Sequence, residues 1–236
     1  MLLLFDIDGT LLQGASDAHA AAIHEAIADI WGVDVRAARS TIDAPGRTDL
    51  EISRALLTAL GVPARDIDAG MGRLRTAAGE AYARLVPDDL SDRVTPGVPD
   101  LLAGLARRDG VLLSLLTGNL EAVARLKLRA AGLAGWFPAG QGAFGSDSED
   151  RTRLPAVARA RAAADGEGGR GGRGSYPRER TVVIGDTPRD VVCARADGVR
   201  CIGVTTGPCS AADLAGADEV VAGAREVAGA LERLGL

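Results

Sequence analysis

Residues Leu2-Leu3-Leu4-Phe5 form an unbroken apolar run that stops at Asp6-Ile7-Asp8-Gly9-Thr10, and this change constrains the fold more than any other feature of the chain. An apolar run without polar alternation suits a strand covered on both faces, as in a parallel α/β sheet. Two carboxylates at its exit call for a reason. Lying two apart on an extended backbone, Asp6 and Asp8 are expected to point the same way. Like charges so placed raise one pKa unless a cation sits between them. Gly9 allows a sharp turn, and Thr10 adds a hydroxyl. Hard oxygen donors in this arrangement suit Mg²⁺, which takes one or two carboxylates and completes its shell with water and phosphate oxygens. The alternative for this segment alone is a strand entering an ordinary Asp/Gly turn.

Two further apolar runs end in polar groups. Val111 to Leu116 leads into Thr117-Gly118-Asn119 and then a segment of helical spacing, Leu120 to Leu128. A hydroxyl and turn amides at a helix N-terminus make a good anion site. Thr181 to Ile184 leads into Gly185-Asp186-Thr187-Pro188-Arg189-Asp190, followed by the helical stretch Val191 to Ala194. In a parallel sheet such strand ends open on one edge, where ligands bind, so the three endings predict one cleft.

Together these segments resemble the haloacid dehalogenase-like hydrolases, in the branch that includes phosphoglycolate phosphatase and beta-phosphoglucomutase. Asp6-Ile7-Asp8-Gly9-Thr10 is similar to the family's first motif, Thr117-Gly118-Asn119 to its second and Gly185 to Asp190 to its fourth. The resemblance implies a Rossmann-like, three-layer α/β core with a parallel sheet and an inserted α-helical cap domain. It implies that Asp6 is a nucleophile that becomes an aspartyl-phosphate. Asp8 would protonate the leaving oxygen and then activate water. The carboxylates of Asp6 and Asp186 and the backbone carbonyl of Asp8 would hold Mg²⁺, with Asp190 orienting a water on the cation. Thr117 and the amide of Gly118 would bind the phosphoryl group, and Asn119 would be a further substrate-binding residue. Dehalogenases of the same superfamily lack the second aspartate of the first motif, so Asp8 argues against that activity.

The third motif departs from the pattern. Related phosphatases carry a lysine within Lys-Pro-x-Pro at a helix start, whereas this chain has Gly145 to Pro155 there and its one lysine is Lys127. Lys127 falls mid-helix after the second motif, out of register for that role. Counting back from the helical stretch Pro155 to Arg161 favours Arg151 as the replacement, with Arg153 second. A guanidinium supplies the charge and a planar fork suited to phosphate. The alternative is that both arginines are solvated. The acidic stretch Asp147 to Asp150 is expected to complement the following helix dipole.

About one hundred residues separate the first two motifs, too many for a simple crossover. Helical spacing at Ala18–Trp31, with Ala22, Ile23, Ala26, Ile27 and Ile30 on one face, and at Asp49–Leu60 and Met71–Leu85 predicts an inserted helical domain over 16–89, which resembles the helical cap of the family. Residues 1–15 and 90–236 then form the core. A cap of this kind closes over a cleft and excludes water. Ala44-Pro45-Gly46-Arg47-Thr48-Asp49 resembles a cap specificity loop, in which Arg47 reaches the substrate. The other reading is a helix capped by Thr48 with Arg47 in solvent.

Other features are expected to be structural. Cys193, Cys201 and Cys209 form no metal pattern and are read as reduced thiols, the first two packed in helix and strand. His19 and His24, five apart, miss a shared face and are placed on the surface. The Gly/Arg-rich segment 165–177 is read as a surface loop. A net charge of −5 provides no basic footprint for nucleic acid. Met1 to Phe5 is too short for a signal or membrane segment, so a cytoplasmic protein, monomer or homodimer, is expected. The predicted activity is Mg²⁺-dependent hydrolysis of a small phosphorylated metabolite, a phosphoglycolate-like ester or a sugar phosphate. A sugar-phosphate mutase and a non-catalytic phosphate-ligand-binding protein are the alternatives.

Overall fold

The computed structural model describes residues 1–36, 42–164 and 176–236. Its centre is a six-stranded sheet formed by β1 (Leu2–Phe5), β2 (Leu112–Thr117), β3 (Ala143–Phe144), β4 (Thr181–Gly185), β5 (Arg200–Val204) and β6 (Glu219–Val221). The strand order is β3-β2-β1-β4-β5-β6, and every neighbouring pair is parallel. Register places Phe5 beside Leu115 and Ile184, so the chain leaves β1, β2 and β4 along one edge. The order reverses at β1, which opens a crevice at that edge.

Alternation along β1 explains the three layers. Leu3 and Phe5 pack with α4 (Val98–Ala106), α5 (Glu121–Ala130) and α8 (Ala224–Arg233). Leu2 and Leu4 face the opposite way, toward α6 (Leu154–Ala164) and α7 (Pro188–Asp197). All four strand residues are buried, as a sheet with helices on both faces requires.

Between β1 and α4 the chain forms α1 (Asp17–Trp31), α2 (Asp49–Ala59) and α3 (Ala64–Leu85). These helices share a separate apolar cluster that includes Ile23, Ile27, Leu56, Leu57, Leu74 and Tyr82, joined by Leu120 and Val123 where α5 begins. The third helix starts at Ala64, seven residues before the Met71 expected from spacing. Pro63 opens it, while Gly70 and Gly72 dilute the apolar period of its first turns. Helix α4 and strand β3 were not anticipated from the sequence, and a two-residue strand is too short to show a period.

The predicted loop over 165–177 lies outside the described residues except for Tyr176 and Pro177. Cys193 and Cys201 are buried and all three thiols are free, as expected. Among the described residues, no helix is long and apolar enough to cross a membrane. Because Leu4 is fully buried at the sheet centre, Leu4→Ala is expected to cost about 2–5 kcal/mol. Urea unfolding measures this, and a loss below about 1 kcal/mol would show that the strand does not anchor the sheet.

Candidate active site

The three strand exits meet as predicted, but the two first-motif carboxylates do not share a direction. Strand β1 ends at Phe5, so the two-residue period no longer governs Asp6 and Asp8. Gly9 turns the chain with φ +84°. The carboxylates line one cavity with different partners.

Asp6 belongs to a buried acidic cluster with Asp186 and Asp190, whose donor oxygens lie within 4.8 Å of one another. Asp6 Oδ1 accepts a hydrogen bond from the Ile7 amide at 2.7 Å, and Asp6 Oδ2 from Arg151 Nη2 at 3.0 Å. Asp186 Oδ1 accepts from the Thr10 hydroxyl at 3.1 Å. Asp190 spends both oxygens. One accepts from Arg151, the other from the Thr187 amide at 3.0 Å and hydroxyl at 2.7 Å, forming the box that caps α7. Asp190, expected to orient a water on the cation, also holds Arg151 and the helix start while remaining in the acidic cluster.

The electrostatics follow from this crowding. Burial pushes Asp6 up to about 6; Arg151 opposes the shift, while Asp190 and Asp8 reinforce it. Burial, with Asp6 and Asp190 nearby, raises Asp186 to about 8. Burial works against the Arg151 charge, yet Asp190 and Asp6 outweigh it and hold the guanidinium firmly protonated. Three carboxylates crowd together and one guanidinium pairs with two of them, Asp6 and Asp190, leaving hard oxygen donors short of positive charge. This donor set fits Mg²⁺, with Asp6 and Asp186 as the carboxylates that would hold it.

Arg151 lies where the third-motif cation was sought. It stands in the 3₁₀ turn Arg151–Arg153, capped by Asp150, and is 6 % exposed, whereas Arg153 is exposed and pairs with Asp150. Arg151 Nη1 also donates to the Gly46 carbonyl at 3.0 Å, and its buried Nε has no partner. The neighbouring acids are not a simple dipole complement. Only Asp150 caps the turn, while Asp147 pairs with Arg161 and Glu149 with Arg54 of α2.

Asp8 is held by Lys127, which, out of register for the third-motif role on Asp6, has a first-motif partner that its spacing did not announce. Lys127 Nζ donates to Asp8 Oδ1 at 2.8 Å and Oδ2 at 2.7 Å, and lies 3.2 Å from His19 Nδ1. Helical side chains lean toward the N-terminus, so the Lys127 stem runs back from α5 to the strand exits. Burial favours the neutral acid at Asp8, but Lys127, His19 and the Lys127 and Asn119 hydrogen bonds prevail and lower its pKa. Asn119 Nδ2 donates to Asp8 Oδ2 at 2.9 Å, so this side chain, expected to bind substrate, lines the cavity and also orients Asp8.

His19 corrects the surface placement. It is buried, with Nε2 2.9 Å from Asp49 Oδ2, and its ring stands edge-on to Tyr82. The signal was present in the sequence, because His19 continues the Ala22, Ile23, Ala26 stripe at helical spacing. Asp49 Oδ2 also accepts from the Leu120 amide at 2.7 Å, placing a carboxylate at the N-terminal end of α5.

The turn before α2 approaches the site through its backbone. Thr48 caps α2 by accepting from the Glu51 amide at 3.1 Å. The Asp49 amide donates to the Gly118 carbonyl at 2.8 Å. A Cβ at Gly118 would sit 2.1 Å from the Arg47 carbonyl oxygen, so only glycine permits this contact. Arg47 lines the cavity, but its guanidinium pairs with Glu51 and donates to the Asp43 carbonyl. Buried Thr117 lines the floor beside Gly118, as expected.

Comparison with known proteins gives a consistent picture. The model of the family described as haloacid dehalogenase-like hydrolase matches residues 1–198. A protein of Dickeya dadantii described as "Probable phosphatase IndB" is 30% identical over 209 residues, 87% of this chain and 81% of that protein. A phosphoglycolate phosphatase of Rhodospirillum rubrum is 31% identical over 84% of this chain and 76% of its own. The crystal structure of a beta-phosphoglucomutase from Clostridium difficile shares the fold with TM-score 0.67 at 13% identity, covering 99% of this chain and 96% of that one.

The raised pKa values of Asp6 and Asp186 stabilise the cation-free fold below the ordinary carboxylate pKa, and this contribution is lost as pH rises through about 6 and about 8. A divalent cation must displace the retained proton. The increase in Tm on adding Mg²⁺ is therefore expected to grow from pH 5 to pH 8.5. Thermal melts measure it, and a pH-independent increase would contradict the assignment of these carboxylates.

Proposed function

Because the chain belongs to the haloacid dehalogenase-like hydrolase family, we propose that it is a Mg²⁺-dependent phosphatase that hydrolyses a small phosphate monoester through an aspartyl-phosphate on Asp6. The observation that carries this reading is Arg151 bonded to Asp6 within the buried acidic cluster. Hydrolysis by such an acidic centre needs positive charge and donors on the phosphoryl group, since a carboxylate attacking a phosphate dianion meets like-charge repulsion. Mg²⁺ held by Asp6 and Asp186 would neutralise part of that charge.

The remaining work falls to the chain's own groups. Arg151 orients Asp6 and offers its unpartnered Nε–H, while Thr117 and the Gly118 amide bind phosphoryl oxygens. A bond forms from an Asp6 carboxylate oxygen to phosphorus as the ester P–O bond breaks. Asp8 gives its proton to the departing oxygen, then takes one from the water that attacks phosphorus and frees Asp6. Lys127 lowers the Asp8 pKa at rest; a phosphate dianion beside Asp8 acts in the opposite sense and favours the protonated acid when substrate is bound. Residues 16–89 act as a cap. The Ala44–Asp49 turn, seated on Gly118 and Arg151, excludes bulk water from the intermediate.

With Mg²⁺ present, a panel of small phosphate monoesters is expected to release inorganic phosphate, with release abolished by chelator and by Asp6→Asn. No release from the parent would contradict the hydrolase reading, and recovery of the phosphoryl group on a second sugar hydroxyl would mark a mutase. Lys127→Met is expected to lower kcat by about 10²-fold or more by freeing Asp8 from its anchor. An unchanged kcat would show that the lysine serves only the fold.

A further inference from the structure

The organic part of the substrate is described by the other end of the same cavity. The floor is polar, with Asp6, Asp8, Thr117 and Arg151, whereas the wall built by the cap segment joins a broad apolar patch to the polar side chains of Ser16, His19, His24, Arg47 and Asp49. Ala20 and Ile23 from α1, Ile42 and Ala44 from the following loop, and Ile52 and Leu56 from α2 surround a chamber continuous with the nucleophile. The whole cavity measures about 270 Å³, enough for a phosphoryl group and a small substituent.

Charged groups around the chamber are already matched. Among the described residues, the guanidiniums lining the cavity belong to Arg47 and Arg151. Arg47 is paired with Glu51 and bonded to the Asp43 carbonyl, and Arg151 is held by Asp6 and Asp190. His19 is engaged with Asp49 and Lys127. His24 also lines the cavity and interacts electrostatically with Asp34. A second anion on the substrate, such as a carboxylate, would meet the apolar patch and, among the described residues, arginines that are already partnered, and burying an uncompensated charge is costly.

Resting on the phosphatase reading above, we infer that the preferred substrate is a monophosphate ester whose organic group is small, uncharged and predominantly apolar, seated against Ile23, Ile52 and Leu56. The chamber thus distinguishes this chain from a phosphatase built for a carboxylate-bearing ester. Each methylene buried there contributes about fourfold to kcat/KM, corresponding to about 0.8 kcal/mol.

A matched pair of esters tests this. Isobutyl phosphate and phosphoglycolate have the same number of non-hydrogen atoms and differ in carrying two methyl groups or a carboxylate. With Mg²⁺, kcat/KM is expected to be at least tenfold higher for isobutyl phosphate. Ile52→Lys, which adds a cation to the wall, is expected to reduce that preference at least tenfold, with retained folding checked by its Tm. Equal or faster hydrolysis of phosphoglycolate by the parent would overturn the inference and leave the phosphatase reading standing. An unchanged preference in folded Ile52→Lys would also overturn the placement of the organic group. Release from neither ester nor from methyl phosphate would remove the phosphatase reading and this inference together.

Discussion

The contact on which the rest of the site depends is the buried bridge from Arg151 to Asp6 and Asp190. These groups come from the exit of β1, the turn before α6 and the first turn of α7, so one guanidinium joins three elements around the end of the sheet. A buried ion pair is poor evidence for net stability, because desolvation offsets its attraction. Its effect here is positional: Asp6 cannot rotate away without leaving a buried charge unpaired. The same guanidinium bonds the Gly46 carbonyl, carrying the restraint into the turn before α2.

A second chain of polar contacts runs beside the first. Asp8, Lys127, His19 and Asp49 follow one another from the β1 exit through α5 and α1 to the start of α2. Asp49 closes the chain on the Leu120 amide at the head of α5. The chain uses arginine for every other permanent cation, and its one lysine occupies this enclosed position. A compact ammonium can donate to both oxygens of one carboxylate and still meet an imidazole, which a planar guanidinium would do only with a different spacing. Both networks tie the helical segment to the sheet edge, so loop position and carboxylate orientation are set together.

Much of this was legible because it depends on short-range pattern. Apolar runs ending in Asp6, Thr117 and Asp186 locate three strand ends, and a parallel sheet brings such ends to one edge. Arg151 could be placed by counting from the following helix, because turn and helix are adjacent in sequence. Lys127 and His19 were hidden for a different reason. Their partners lie 119 and 30 residues away in sequence, and helical register describes a face without naming what that face meets. Arg47 illustrates the same limit, since its neighbour Glu51, one turn along α2, takes the charge that the sequence offered to a ligand. The apolar chamber combines residues from two helices and a loop, and no single window of sequence contains it.

The central claim is that Asp6, and not Asp8, forms the covalent bond to phosphorus. Mixing enzyme, Mg²⁺ and a turned-over ester, quenching within one turnover and reducing with borohydride would convert an acyl phosphate to an alcohol that peptide mass spectrometry can locate. The account predicts homoserine in place of aspartate at position 6 and none at position 8. Reduction at position 8, or no reduction under conditions in which phosphate is being released, would contradict it.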